Sequence, residues 1–338
     1  MIAVLGPAAL AGFLVSALIA ALVMKAGVLD MPNARSNHAR PTPRAGGLGI
    51  AAGLGAGLTL AASTPLAGPE LAGLLAVCAV FCAAGFADDL FTLDEWAKFA
   101  VFVAACLALA VIAGPVTRLG LTLEFGAELP FWAGLAGSAL FAFVVINAVN
   151  FMDGSDAMMA AVMIPASLAL CVAGLVAGVA ATYLIAAVLA AALAGFLPFN
   201  TPRARLFAGD AGALLTGAAY AAGALAMAGH GFSGSLWLAP MFVLVFLADV
   251  LLTLLRRARH GRFSLSAHRE HAYQRLIAAG WSHGSVALAY GGLTAIIALS
   301  GLVAAQGPDG AVPAAFAIWV VVLAVLYRAV GRIAPEAR

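Results

Sequence analysis

With 338 residues, 64% of them hydrophobic and only 9% charged, and with a strongly positive mean hydropathy, the chain lies far outside the range of soluble domains. It reads as a polytopic membrane protein. The net charge of +2 is small, so the placement of the charges carries more information than their sum.

A helix needs about 20 apolar residues to cross the hydrocarbon core of a bilayer. Eleven stretches approach that length: 2–24, 47–63, 71–87, 99–113, 131–146, 158–179, 182–196, 211–229, 236–255, 285–305 and 312–327. Several are short, so the pattern predicts an all-α bundle of ten or eleven transmembrane helices forming a single membrane-embedded domain over 1–338. The first stretch lacks a basic leader and a convincing cleavage signal, and is read as a helix rather than a signal peptide. With eleven spans, the connections at about 25–46, 88–98, 147–157, 197–210 and 256–284 share one face. Of the seventeen Lys and Arg, only Arg118 falls on the other. The excess of basic residues marks the first face as cytoplasmic and puts the N-terminus outside. Cys78, Cys82, Cys106 and Cys171 all lie in apolar stretches and read as small buried hydrophobes.

Between the first two spans, Arg35, His38, Arg40 and Arg44 crowd a loop stiffened by Pro32, Pro41 and Pro43. Charge alone would make it a topogenic anchor. The rigid Thr42-Pro43-Arg44 run and the Gly46-Gly47 pair favour a binding loop, because glycine lets backbone approach a bound group. The third span ends in Asp88-Asp89, two adjacent carboxylates at the negative end of a helix dipole. They call for a cation, either a divalent metal or Lys98. Asp94, Glu95 and Trp96 fit an exposed turn, and Arg118, Glu124 and Glu128 a small hairpin on the far face.

At the end of the fifth span, Asn147, Asn150, Asp153 and Asp156 recur every three residues. In one helix the set would sweep half the circumference. Gly154 predicts a break that turns Asp153 and Asp156 inward, although Asp156 could instead cap the next helix. Asp210 follows the basic stretch Arg203-Ala204-Arg205 and starts the eighth span, where it could serve as a cap or as a Mg²⁺ ligand beside phosphate. Asp249 is the one carboxylate deep within a span, and pairing with a neighbouring polar helix is its default role. Arg256, Arg257, Arg259, His260 and Arg262 form a basic cluster, and His268-Arg269-Glu270-His271 reads as an anion-binding surface rather than a zinc half-site.

Taken together these motifs resemble the polyprenyl-phosphate N-acetylhexosamine-1-phosphate transferases, glycosyltransferase family 4. The likeness runs in family order from Asp30 to Leu276: His38–Gly47, Asp88-Asp89, the Asn-x-x-Asn-x-x-Asp-Gly-x-Asp pattern of 147–156, Phe207–Gly212, and the last loop. That loop carries His-Arg-Glu-His-Ala-Tyr where the muramoyl-pentapeptide transferases carry three consecutive histidines. It is similar to the branch that starts O-antigen and related surface glycans.

The resemblance implies transfer of a sugar 1-phosphate from a UDP-sugar to undecaprenyl phosphate with release of UMP, at the bacterial inner membrane. It also implies Mg²⁺ as cofactor, with Mn²⁺ able to substitute, and no nucleic-acid partner; a homodimer is compatible with it, and the sequence does not fix the oligomeric state. By analogy Asp210 leads the metal ligands with Asp153. Asp88, Asp89, Asp153, Asp156 and Lys98 form the catalytic set. Arg35, His38, Thr42, Arg44, Asn147, Asn150, His268, Arg269 and His271 bind substrate. A phosphate monoester has a second pKa near about 6, so Asp88 need do little as a base. The rival readings are a transporter, which would place polar groups at mid-membrane, and a noncatalytic lipid-binding protein, which would leave five carboxylates on one face without a role.

Overall fold

In a computed structural model the described residues are 2–26, 29–30, 42–65, 68–91, 93–122, 124–228, 234–261 and 270–334. Helix α1 (Ile2–Ala26) is followed by the two-residue strands β1 (Leu29–Asp30) and β2 (Thr42–Pro43), which pair antiparallel. Then come α2 (Gly47–Ala62), α3 (Glu70–Phe91) and α4 (Glu95–Ala113). A hairpin of β3 (Arg118–Gly120) and β4 (Gly126–Glu128) leads to α5 (Phe131–Met152), α6 (Met158–Ala177), α7 (Ala180–Asn200) and α8 (Gly209–Ala228). The chain closes with α9 (Ser235–Met241), α10 (Leu244–Arg259), the short α11 (Ala272–Ala278), α12 (His283–Ala304) and α13 (Ala311–Ile333).

Among the described residues nine helices are long and apolar enough to cross a membrane. The bent pair α9 and α10 makes a tenth. Sequence periodicity predicts one span over 236–255, but the chain breaks after Met241 and turns by 68°. Pro240, which has no N–H to give the helix ladder, sits at that break. The eleventh predicted span, α2, has 16 residues and so extends about 24 Å at roughly 1.5 Å per residue, short of a core about 30 Å thick. Its buried residues, Ile50, Leu54, Leu58 and Ala61 among them, pack against neighbouring helices, α1 and α7 foremost.

Lipid tails are as apolar as leucine, so helices in a bilayer gain most where small residues let backbones touch. Gly49, Gly53 and Gly57 place such a stripe on α2. A Cβ on Gly53 would lie 2.4 Å from the carbonyl oxygen of Gly12, and one on Gly57 2.5 Å from that of Ala8. Ser16 adds a hydrogen bond from α1 to the Ala192 carbonyl on α7 (2.7 Å). At the centre stands α8, rich in Ala and Gly and buried on every side. Its phenol, Tyr220, donates to the carbonyl of Ala239 at 2.7 Å.

The described connections gather at two ends of the bundle. Residues 43–47, 88–98, 153–157, 200–210 and 270–283 meet at one end, as the contacts below show. At the other end Trp237 Nε1 donates to the Gly120 carbonyl (2.7 Å), and Gly310 approaches Thr122.

Candidate active site

The site begins with the way two adjacent aspartates part. After α3 ends at Phe91, Asp94 caps α4 by accepting from the N–H groups of Trp96 (3.1 Å) and Ala97 (2.9 Å). That tight turn puts Lys98 one helical turn into α4, facing back toward α3. Its ammonium hydrogen-bonds Asp88 and also reaches Asp210 at 3.3 Å. Asp88 accepts in addition from the backbone N–H of Leu93 (2.8 Å).

Asp89 turns the other way. Its two oxygens accept from the backbone N–H groups of Asp210 and Ala211, each at 3.3 Å, so it caps the start of α8 from a different helix. Arg44 lies 4.0 Å from the same carboxylate. One carboxylate therefore meets an ammonium and its neighbour a helix dipole. Neither depends on solvent alone.

Two glycines make this contact possible. A Cβ on Gly85 would come within 2.5 Å of the Asp210 backbone, so nothing larger lets α3 rest on the start of α8. Gly209 has φ +71°, and a side chain there would meet Asp89 Oδ2 at 2.6 Å.

Gly46 and Gly47 also serve close approach, but to the protein's own backbone. Gly46 N–H donates to Phe207 O and Gly47 N–H to Ala208 O, both at 2.8 Å, while Phe207 N–H donates to Pro43 O at 2.9 Å. A Cβ on Gly47 would lie 2.2 Å from Gly212 N. The first basic loop is thereby stitched to the segment that delivers Asp210.

Helix α5 ends at Met152, as Gly154 predicts, leaving Asn147 and Asn150 on the helix and Asp153 as its C-cap. Asn147 donates to Phe143 O one turn back (2.8 Å). Asp153 is half-buried, and no described side chain forms a hydrogen bond or ion pair with its carboxyl. Burial, and then the nearby charges of Asp210 and Asp89, push that carboxyl well above the usual carboxylate range.

Asp156 does not cap α6. The N-cap is Ala157, at φ +61°, and Asp156 instead accepts from the N–H of Ala204 (3.1 Å). Sequence reasoning passed over three residues here. Asn200 accepts from Ala157 N–H (2.7 Å) and donates to Leu206 O (2.9 Å), and Ser155 lies 2.9 Å from Nδ1 of His283. Asn200 could have been suspected, as an amide at the end of an apolar helix. His283 stands alone beside a serine and carries no spacing signal.

His271 is buried, with its ring centroid 6.5 Å from that of Phe151 and 6.0 Å from that of Tyr273. Asp249 accounts for the placement of this segment. Its carboxylate accepts from the N–H groups of Ala272 (2.8 Å) and Tyr273 (3.2 Å) and from the Tyr290 hydroxyl (2.7 Å), and it lies 3.3 Å from His271 Nδ1. The expected pairing with neighbouring polar elements is met by α11 and α12. The one deep carboxylate thus holds structure together, which removes the feature that most favoured a transporter. Thr42 contributes its backbone to β2. Arg35, His38, His268 and Arg269 lie outside the described residues.

What the arrangement can hold follows from its charge. Asp88, Asp89, Asp153 and Asp210, when ionised, face Lys98 and Arg44, which leaves two negative charges over among the described residues. No three described His, Cys, Asp or Glu side chains form a ready-made chelate. Mg²⁺ does not require one, since it commonly takes one or two carboxylates together with waters and phosphate oxygens. The residues present fit a divalent ion held by Asp210 and Asp153 and completed by a phosphorylated ligand.

Residues 71–228 match the family described as glycosyl transferase family 4. The chain is 30% identical over 301 residues to a protein named decaprenyl-phosphate N-acetylglucosaminephosphotransferase in Mycobacterium tuberculosis, covering 79% of this chain and 73% of that one. It is 26% identical over 281 residues to a probable undecaprenyl-phosphate N-acetylglucosaminyl 1-phosphate transferase of Bacillus subtilis, covering 80% and 75%. A phospho-N-acetylmuramoyl-pentapeptide-transferase of Leuconostoc citreum is 28% identical over 156 residues, 46% of this chain and 47% of that one.

Proposed function

The chain belongs to glycosyl transferase family 4, the polyprenyl-phosphate hexosamine-1-phosphate transferases, and from that premise we propose that it moves an N-acetylhexosamine 1-phosphate from a UDP-sugar to undecaprenyl phosphate, releasing UMP. The observation that carries this reading is Lys98, bound to Asp88 on α3 and Asp210 on α8, with Asp153 held nearby in a raised-pKa setting. It is a site whose excess negative charge suits a divalent ion and whose cations suit phosphates.

Two polyanions have to meet for this reaction, and their repulsion is the main barrier. Lys98 and Arg44 offset charge on the diphosphate, joined by Arg35, His38, His268, Arg269 and His271 as substrate-binding residues. Asn147 and Asn150 line the approach to the nucleotide. Asp210 and Asp153 would hold Mg²⁺, which supplies charge neutralisation at the diphosphate. Asp88 keeps Lys98 ionised and aimed. Asp89 sets the start of α8 and so the direction of Asp210. The acceptor attacks as a phosphate oxygen already ionised near neutral pH, so no side chain has to remove a strongly held proton.

The acidic end faces the cytoplasm, where the basic connections fall. On this reading the site lies at the cytoplasmic membrane surface, within reach of a soluble donor and a lipid-anchored acceptor. The reaction begins a cell-envelope glycan such as O-antigen. The names of the mycobacterial and Bacillus relatives favour N-acetylglucosamine as the sugar.

The test is UMP release by purified full-length protein given undecaprenyl phosphate, Mg²⁺ and a panel of UDP-N-acetylhexosamines. Turnover with one donor, lost on chelation and reduced about a thousandfold or more in Asp210→Asn, is the expected result. Undiminished release in that variant would remove Asp210 from the metal site.

A further inference from the structure

The last long connection grips the acidic turn at both ends. On one side Tyr273 donates its hydroxyl to Phe151 O at 3.4 Å, and the His271 ring lies beside Phe151. On the other, His283, the first residue of α12, brings Nδ1 within 2.9 Å of Ser155 Oγ and 3.3 Å of the backbone nitrogen of Asp156. The carboxylate of Asp156 is 3.9 Å from the same nitrogen. A backbone N–H can only donate, and this one is aimed at Nδ1. Toward Asp156 the ring nitrogen is therefore the acceptor.

The turn needs that support. Ala157 holds φ at +61°, a conformation that L residues rarely adopt, and the Met158 N–H closes the turn onto Ser155 O at 3.2 Å. The N–H groups of Asp156 and Ala157 precede the first hydrogen-bonded turn of α6 and have no partner inside that helix. Two side chains from distant elements supply the acceptors, Asn200 for Ala157 and His283 for Asp156. Asn200 is buried and also tied to Leu206 O, so it belongs to the scaffold. His283 is more open to solvent, and it joins the turn to the same connection that carries His271.

We propose that His283 is a positioning residue for the transfer reaction. Through Nδ1 it sets the turn between Asp153 and Ala157, so that Asp153 and Asp156 are pre-aligned before the nucleotide-sugar binds. The proposal rests on the transferase reading above for its substrate, but the hold on the turn is a separate observable.

The experiment uses full-length protein in detergent and compares wild type, His283→Ala and His283→Asn, whose Oδ1 falls close to the place of Nδ1. Hydrogen–deuterium exchange is read for a peptide spanning 153–158, and KM and kcat for release of UMP from UDP-N-acetylglucosamine. Loss of one backbone hydrogen bond is expected to speed exchange in that peptide by about tenfold in His283→Ala, with peptides from α8 unchanged. Donor KM should rise by about fivefold to tenfold with a smaller change in kcat, and His283→Asn should restore both readings.

Unchanged exchange in His283→Ala would overturn the proposed hold. Faster exchange with unaltered kinetics would overturn its role in the reaction. Failure of His283→Asn to restore would overturn the acceptor assignment. Should His283→Ala loosen the whole protein, His283→Gln makes the same comparison with the acceptor one bond further out. A wild type silent toward every donor would overturn the transferase reading, while the exchange data would still decide whether His283 holds the turn.

Discussion

At one end of the bundle Lys98 joins Asp88, ten residues away, to Asp210, 112 residues away, and Asp89 caps a helix from another element. At the other end Arg118 meets Glu128 at 3.3 Å across a two-stranded hairpin, with Glu128 largely exposed and Arg118 less so. Near that hairpin a cavity of about 260 Å³ is lined almost wholly by apolar groups, among them Leu119, Phe141, Leu225 and Trp237. Both ends carry charge, and at the first the contacts described here make charged groups from separate helices depend on one another. A charged pair that closes a local hairpin is decoration that water can replace, whereas one that spans helices fixes where a reacting group sits.

Three substitutions probe that contrast, in descending order of expected effect. Lys98→Met strips Asp88 and Asp210 of their shared cation, and turnover should fall by about a hundredfold under saturating Mg²⁺. A loss below about threefold would show that the acidic end tolerates disorder as the hairpin does.

Asp153→Asn should lower turnover by about tenfold or more and yet raise the melting temperature of metal-free protein by about 2 °C, because it removes a carboxylate that burial and two neighbouring carboxylates disfavour in its charged form. The sign can be checked with pH. A carboxyl whose folded pKa is raised binds more protons folded than unfolded. Metal-free wild type should therefore lose stability as pH climbs from the ordinary carboxylate value through the raised one, and Asp153→Asn should show a shallower decline. Equal slopes would mean that Asp153 is not strained by its surroundings.

Arg118→Ala should leave turnover unchanged and alter stability by less than about 0.5 kcal/mol, as is usual for exposed pairs. A larger effect would move the hairpin from decoration to structure.

The periodic and compositional features of this fold are legible in sequence. Long apolar runs divide the chain into spans, and the basic residues sort the connections onto one end. The break after Met152 follows from Gly154, and the hairpin from alternation around Arg118 and Glu128. Asp249 is recognisable as paired because an unpaired carboxylate at that depth is too costly. What escapes is anything fixed by a partner distant in the chain. That Asp89 caps α8 rather than facing solvent depends on Gly85 and Gly209 allowing two helices to meet. The kink before α10 needed more than the presence of Pro240, since prolines also sit within α6 and α7 without breaking them. His283 was invisible for the same reason, since its meaning comes from a turn 127 residues earlier.

The parting of Asp88 and Asp89 also has a consequence for biogenesis. The chain is made from its N-terminus, and α3 and α4 emerge as one helical hairpin. Asp88 finds Lys98 within that hairpin, so half of the acidic pair is neutralised as soon as the two helices enter the membrane. Asp89 has to wait for α8, more than a hundred residues later, before its helix-start partner exists. A nascent protein halted before Gly209 therefore lacks the two backbone N–H groups that Asp89 caps and keeps only Arg44 as a charge partner for it, and the arrival of α8 both completes that cap and brings Asp210 into place.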